Sequence, residues 1–145
     1  MNAIATETWV FPPEPASTRE ARRRVAGVLE SYDLLAATAA AALIVSELTT
    51  NAVLHARTPF AVRLIVNEDT IRIEVHDETD RPPVRRYFSD ESASGRGLRL
   101  VDELSLAWGV EAGGDIAGKT VWAELDVAGA SMRSAPLEFH QVEGL

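Results

Sequence analysis

The chain has 145 residues and a formal net charge of -8, from 22 acidic against 14 basic side chains. That length suits one domain with its own core and leaves little room for a second. The acidic balance opposes a phosphate backbone, so no nucleic-acid partner is expected, and the absence of cysteine excludes disulfides and thiolate metal sites.

Thr6 to Phe11 reads as a first strand, closed by Pro12 and Pro13. Ser17, with Glu20 three residues on, predicts a capping box at the start of a helix whose apolar face is Ala21, Val25, Val28, Leu29 and Tyr32. The basic run Arg19, Arg22, Arg23 and Arg24 falls in this helical pattern beside Glu20 and reads as a solvated face. Asp33 is the expected cap of a second, alanine-rich helix running to about His55 and ended by Thr58 and Pro59. No stretch reads as long and apolar enough to span a bilayer, and no basic-then-apolar leader opens the chain. The expected location is therefore the cytoplasm, with no membrane partner.

Phe60, Val62, Leu64 and Val66 alternate along one strand; Ile71, Ile73 and Val75 alternate with Arg72, Glu74 and His76 along the next. The short polar link Asn67-Glu68-Asp69 predicts a hairpin. Residues 78–94 lose all periodicity, and an irregular stretch of that length is usually functional or mobile. A third helix is expected from Gly97 to about Trp108, with Leu98, Val101, Leu104 and Leu106 as its apolar positions. Two strands near Ala107 to Glu111 and Lys119 to Val127 complete the order. Hairpin-linked strands with helices gathered on one face make an α+β, two-layer sandwich with a mixed, mostly antiparallel sheet. Residues 6–127 form the predicted domain and 128–145 a C-terminal tail.

Three places combine polar chemistry with an apolar frame. Glu47, Asn51 and His55 recur at four-residue spacing along the second helix, so they stack on one side. From spacing alone, a solvated flank or a partner for loop backbone is the plainer role. Asp77 keeps the parity of Ile71, Ile73 and Val75, which puts a carboxylate on the apolar side at the strand end. It can accept a hydrogen bond from an exocyclic amine such as that of adenine, or it can cap a turn. Ser94-Gly95-Arg96-Gly97-Leu98 is a glycine-rich turn opening a helix, where free N–H groups favour anions. It matches neither a P-loop nor a dinucleotide fingerprint. A lone histidine such as His55 is a helix-end residue rather than a metal ligand, and Trp108 and Trp122 read as sheet packing.

The order of these pieces carries more than any one of them. Segments 46–56, Val75-His76-Asp77, Gly95 to Val101, and Gly118-Lys119-Thr120 to Leu125 together resemble the histidine kinase-like (Bergerat) ATPase superfamily. Within it the chain looks most like the anti-sigma-factor serine/threonine kinases and related stand-alone ATP-binding regulators of actinobacteria. The resemblance spans about residues 6 to 127. It implies ATP and Mg²⁺ as ligands, with Asn51 helping to hold the metal and Glu47 as general base. It also implies Asp77 on the adenine amine, Thr120 assisting through its hydroxyl, and a lid from about Glu78 to Ser94. Gly95 and Gly97 would let the chain fold over the phosphates, with Arg96 and Leu98 beside them.

The family's strand-end pattern is Asp-x-Gly, and here it is Asp77-Glu78-Thr79. Thr79 still offers a hydroxyl but leaves less room for a base. The implied output is a serine/threonine kinase acting on a small regulatory protein, with an anti-sigma antagonist or sigma factor as partner. Kinases of the resembled type often form homodimers. The competing expectation is a nucleotide-gated binding module without useful transfer.

Overall fold

Alternation along the strands and an alanine-rich helix between them set the architecture. The structure is a computed structural model in which residues 3–79, 97–112 and 117–129 are described. The elements are β1 (Ala5–Phe11), α1 (Pro15–Ser31), α2 (Leu35–Asn51) continued by a π-helical turn (Ala52–Ala56), β2 (Phe60–Val66), β3 (Thr70–Asp77), α3 (Gly97–Leu104), β4 (Ala107–Ala112) and β5 (Lys119–Asp126). The sheet order is β1-β2-β3-β5-β4, and each neighbouring pair is antiparallel. The expected hairpin is present, closed by the Asn67 N–H donating to the Thr70 carbonyl at 2.8 Å.

Period-two side-chain placement lines up rows across the sheet. Trp9, Val62, Val75, Val121 and Val110 make one row, and Val66, Ile71 and Leu125 another. Apart from the half-buried Trp9, these residues are buried. The helices cover this face: α1 packs on α2, and α2 packs on β3, β5 and α3. Because α2 touches both a helix and the sheet, it buries residues around much of its circumference, from Ala37, Ala40 and Ala41 to Ile44, Val45 and Leu48. An element enclosed on several sides has no strong polar stripe to show, and alanine lets its neighbours approach closely. The opposite sheet face carries Arg72, whose guanidinium stacks on Trp122 at 4.3 Å and pairs with Glu74 and Glu124. Trp108 is in the core and donates its indole N–H to Asp102 at 3.1 Å.

Several local expectations are corrected. α1 begins two residues before Ser17, with Pro15 in the first turn, where its missing N–H costs nothing. Ser17 donates its hydroxyl to the Pro12 carbonyl at 2.8 Å, and Glu20 pairs with Arg23 and Arg24 at 2.9 Å each, so no capping box forms. Arg22 reaches Ser46 Oγ at 2.9 Å and ties α1 to α2. Asp33 does not cap α2. It sits at φ 60 as the left-handed residue that closes α1, with the Asp33 and Leu34 N–H groups donating to the Glu30 and Leu29 carbonyls. α3 stops at Leu104 rather than Trp108, because the Leu106 N–H joins the sheet at the Glu124 carbonyl (2.7 Å) and leaves its side chain exposed. The continuous helix Leu35–Ala56 has 22 residues and is long and apolar enough to cross a membrane, against the expectation from the sequence; half of it is buried inside the fold, as in a core helix.

Candidate functional site

At one end of the sheet the apolar rows give way to charge. The last row across the helix-covered face runs Phe11, Phe60, Asp77, Lys119 and Ala112. Phe11 and Phe60 stack at 5.7 Å between ring centroids. Beside them, Asp77 and Lys119 are 2% and 3% exposed, and Lys119 Nζ donates to Asp77 Oδ2 at 2.8 Å. The other carboxylate oxygen, Oδ1, accepts the Thr79 N–H at 3.1 Å. The strand exit is pinned by the Glu78 N–H donating to Thr58 Oγ1 at 3.0 Å.

Gly118 makes the approach of Lys119 to Asp77 sterically feasible. Its φ is +100, and a Cβ there would run into the Asp77 carbonyl oxygen. Only glycine takes such a backbone without strain.

The C-terminal end of α2 roofs this row. The π-helical turn packs on β3, and it ends with the Arg57 N–H donating to the Ala52 carbonyl at 3.1 Å, with Arg57 left-handed. Single π turns inside helices are often found at functional sites. Glu47 and Asn51 lie in the regular α-helix, while His55 falls in the wider π turn. Burial, and after it the positive charges of Lys119 and Arg57, hold the His55 imidazole below its usual pKa. The packing of the π-helical turn on β3 places the helix end against that strand. Asn51 is 4% exposed and Glu47 half-buried. Glu47 precedes Asn51 by four residues, or about 6 Å of helix rise.

The structure thus places Asp77 and Thr79 together on the strand against which the π-helical turn after Asn51 packs, with Glu47 one turn earlier on α2. It does not bring Thr120 to them. Thr120 falls on the opposite sheet face, where its Oγ1 lies 2.9 Å from His76 Nδ1. The residue of β5 that reaches Asp77 is Lys119, which the sequence analysis did not assign. The signal was available, because Lys119 shares the parity of Val121, Ala123 and Leu125. Gly97 and Leu98 open α3, which packs on α2. Gly95, Arg96 and the expected lid residues 80–94 lie outside the described residues, as does most of the tail.

Chemically, the row offers a carboxylate in apolar surroundings with an ammonium beside it, below a helix bearing an amide and a second carboxylate. Among the described residues no cluster of three or more His, Asp or Glu forms a metal centre. The Asn51 amide oxygen nonetheless fits a magnesium ion that takes most of its ligands from phosphates and water.

A family model for a histidine kinase-like ATPase domain matches residues 11–124. A search of curated proteins finds no match to the chain.

Proposed function

The chain belongs to the histidine kinase-like ATPase domain family, whose ligand is ATP, and from that premise we propose that it is a regulatory serine/threonine kinase using Mg-ATP. The observation that carries the reading is the buried Asp77 carboxylate at the end of an apolar strand face, under the helix that bears Asn51 and Glu47. Asp77 accepts the adenine amine. Asn51 would lend its amide oxygen to a magnesium ion, whose charge would offset that of the phosphates. Glu47 takes the proton of a serine or threonine hydroxyl on the target protein as that oxygen bonds to the γ-phosphorus and the bond to ADP breaks. The target is a small regulatory protein of the anti-sigma antagonist type, with sigma factor sequestration and a homodimer as the matching assembly.

Calorimetric titration of ATP with and without Mg²⁺ tests the binding half. Wild type should bind more tightly with magnesium, and Asn51→Ala should lose that difference. No binding at millimolar nucleotide in either condition would remove the ATP reading.

A second reading is favoured by Thr79. It stands where the resembled pattern has glycine, and its N–H is engaged by Asp77. A nucleotide-gated binding module without useful transfer fits that altered strand end, since transfer depends on positioning that binding alone does not guarantee. Glu47→Gln separates the two. In the kinase reading, transfer falls by about 10²-fold or more while calorimetric ATP affinity stays within a few-fold. Absence of transfer by the wild type to any candidate target protein supports the module.

A further inference from the structure

One side of α2 stays apolar outside the core. Leu35 and Leu43 are 66% and 46% exposed, and Ala36 and Ala39 beside them are also exposed. Leu35, Ala39 and Leu43 recur at four-residue spacing, so they make one row along the helix, and the same spacing continues to Glu47. α1, α3 and the sheet pack on the other sides of α2.

The chain is delivered to the start of that row. After β5 the Val127 N–H donates to the Asp69 carbonyl at 3.1 Å, the Ala128 N–H to Asp126 Oδ1 at 2.8 Å and the Gly129 N–H to the Asp126 carbonyl at 3.0 Å. Gly129 is buried at φ +105, and a Cβ there would stand 2.7 Å from the Ala36 carbonyl oxygen. Glycine alone takes that backbone and that approach without strain, so the exit from the sheet is fixed against the first turn of α2. Residues 130–145, outside the described residues, continue from this point and carry Met132, Leu137, Phe139 and Val142.

We propose that residues 130–145 are the partner of this row: the segment returns from Gly129 along α2 and sets Leu137 and Phe139 against Leu35, Ala39 and Leu43. The reach is ample. Phe139 is ten residues past Gly129, an extended span of up to about 33 Å, while Leu43 lies only about 10 Å of helix rise beyond Ala36. The spacing also matches. Alternate residues of an extended chain share a side about 6.6 Å apart, close to the ~6 Å step between members of the row. A short tether holds the segment at a local concentration of about the millimolar range, above that of a second copy in dilute solution. The docking does not depend on the ATP reading. Its consequence bears on that site, since a protein partner that uses this side of α2, beside Glu47, must first displace the segment.

The chain has no cysteine, so Leu43→Cys supplies a single thiol whose maleimide labelling rate reads how open the row is. In the full chain that rate should rise about tenfold when Leu137→Ala and Phe139→Ala are added, because two apolar anchors are removed from the docked state. Val10→Cys, 71% exposed on the opposite sheet face, should label equally fast with and without the two tail changes. Thermal unfolding of each variant confirms a folded sample, and Leu35→Cys takes the place of Leu43→Cys if the latter does not fold. Protection that the tail changes relieve and dilution leaves unaltered supports the docking. Equal rates with and without the tail changes overturn it. Protection that fades on dilution overturns it in favour of a second copy on the row.

Discussion

Asp77→Ala is expected to destabilise the domain by about 3–5 kcal/mol, because it strips a buried cation of its counter-charge. Both side chains are enclosed, at 3% and 4% exposure, so the ammonium is poorly solvated once the carboxylate is gone. The Thr79 N–H loses its acceptor in the same step. A domain of ordinary stability has only about 5–15 kcal/mol in total, so the loss removes a large share of it. Asp77→Leu combined with Lys119→Met should recover most of the loss, since an apolar pair continues the rows of Val75 with Val121 and Ile73 with Ala123. Urea unfolding followed by circular dichroism measures both. A single-variant loss below about 1 kcal/mol, typical of exposed pairs, would mean the pair is solvated. A double variant as unstable as the single would mean the pair itself holds the strand end together. Recovery of stability without recovery of ATP binding would separate the pair's role in recognition from its role in the fold.

How much of this could be read in the sequence depends on how local the deciding physics is. Parity along β3 placed Asp77 on the apolar face correctly, because alternation is a property of the strand alone. The spacing of Glu47 and Asn51 survived for the same reason, as both lie within the regular part of α2. His55 falls instead in the π turn that follows. The π turn after Asn51 leaves no compositional mark, and it is decided by how the helix end meets β3. Thr120 was an implication of the resemblance, and Lys119 had no assigned role. Which β5 residue meets Asp77 depends on strand pairing: register sets Lys119 against Asp77 and Thr120 against His76.

Helix ends were the other weak point. Ser17 and Asp33 are good capping residues by composition, yet the chain uses Pro15 at one helix start and spends Asp33 as the left-handed closure of the preceding helix. The intrinsic preference of aspartate for a cap and its tolerance of positive φ compete, and only the length of α1 decides between them. The turn from α3 into β4 follows the same logic. The apolar spacing from Val101 to Leu106 continues past the helix, but the Leu106 N–H is claimed by the β5 backbone.

Gly118→Ala is expected to disrupt both the fold and recognition, and Gly27→Ala supplies its control. At Gly118 the backbone is at φ +100, and an added Cβ would meet the Asp77 carbonyl oxygen, with the Glu78 Cα 3.1 Å away. These neighbours are main chain, so no rotamer change relieves the clash. The left-handed conformation alone costs a residue with a Cβ about 1–3 kcal/mol, and the collision must add to it by parting the Asp77 and Lys119 backbones at the last register pair. Gly27, by contrast, lies inside α1 with nothing within 4 Å of an added Cβ. Alanine there should stabilise by about 0.5–1 kcal/mol through helix preference. Opposite signs for the same chemical change, measured by urea unfolding, would show that the Gly118 effect comes from its place in the sheet. Since that clash moves Lys119 away from Asp77, residual folded Gly118→Ala protein should also bind ATP more weakly than wild type, whereas Gly27→Ala should match wild type. Equal ATP affinity in folded Gly118→Ala would mean that the closeness of β5 to the Asp77 carbonyl serves the sheet and not the base.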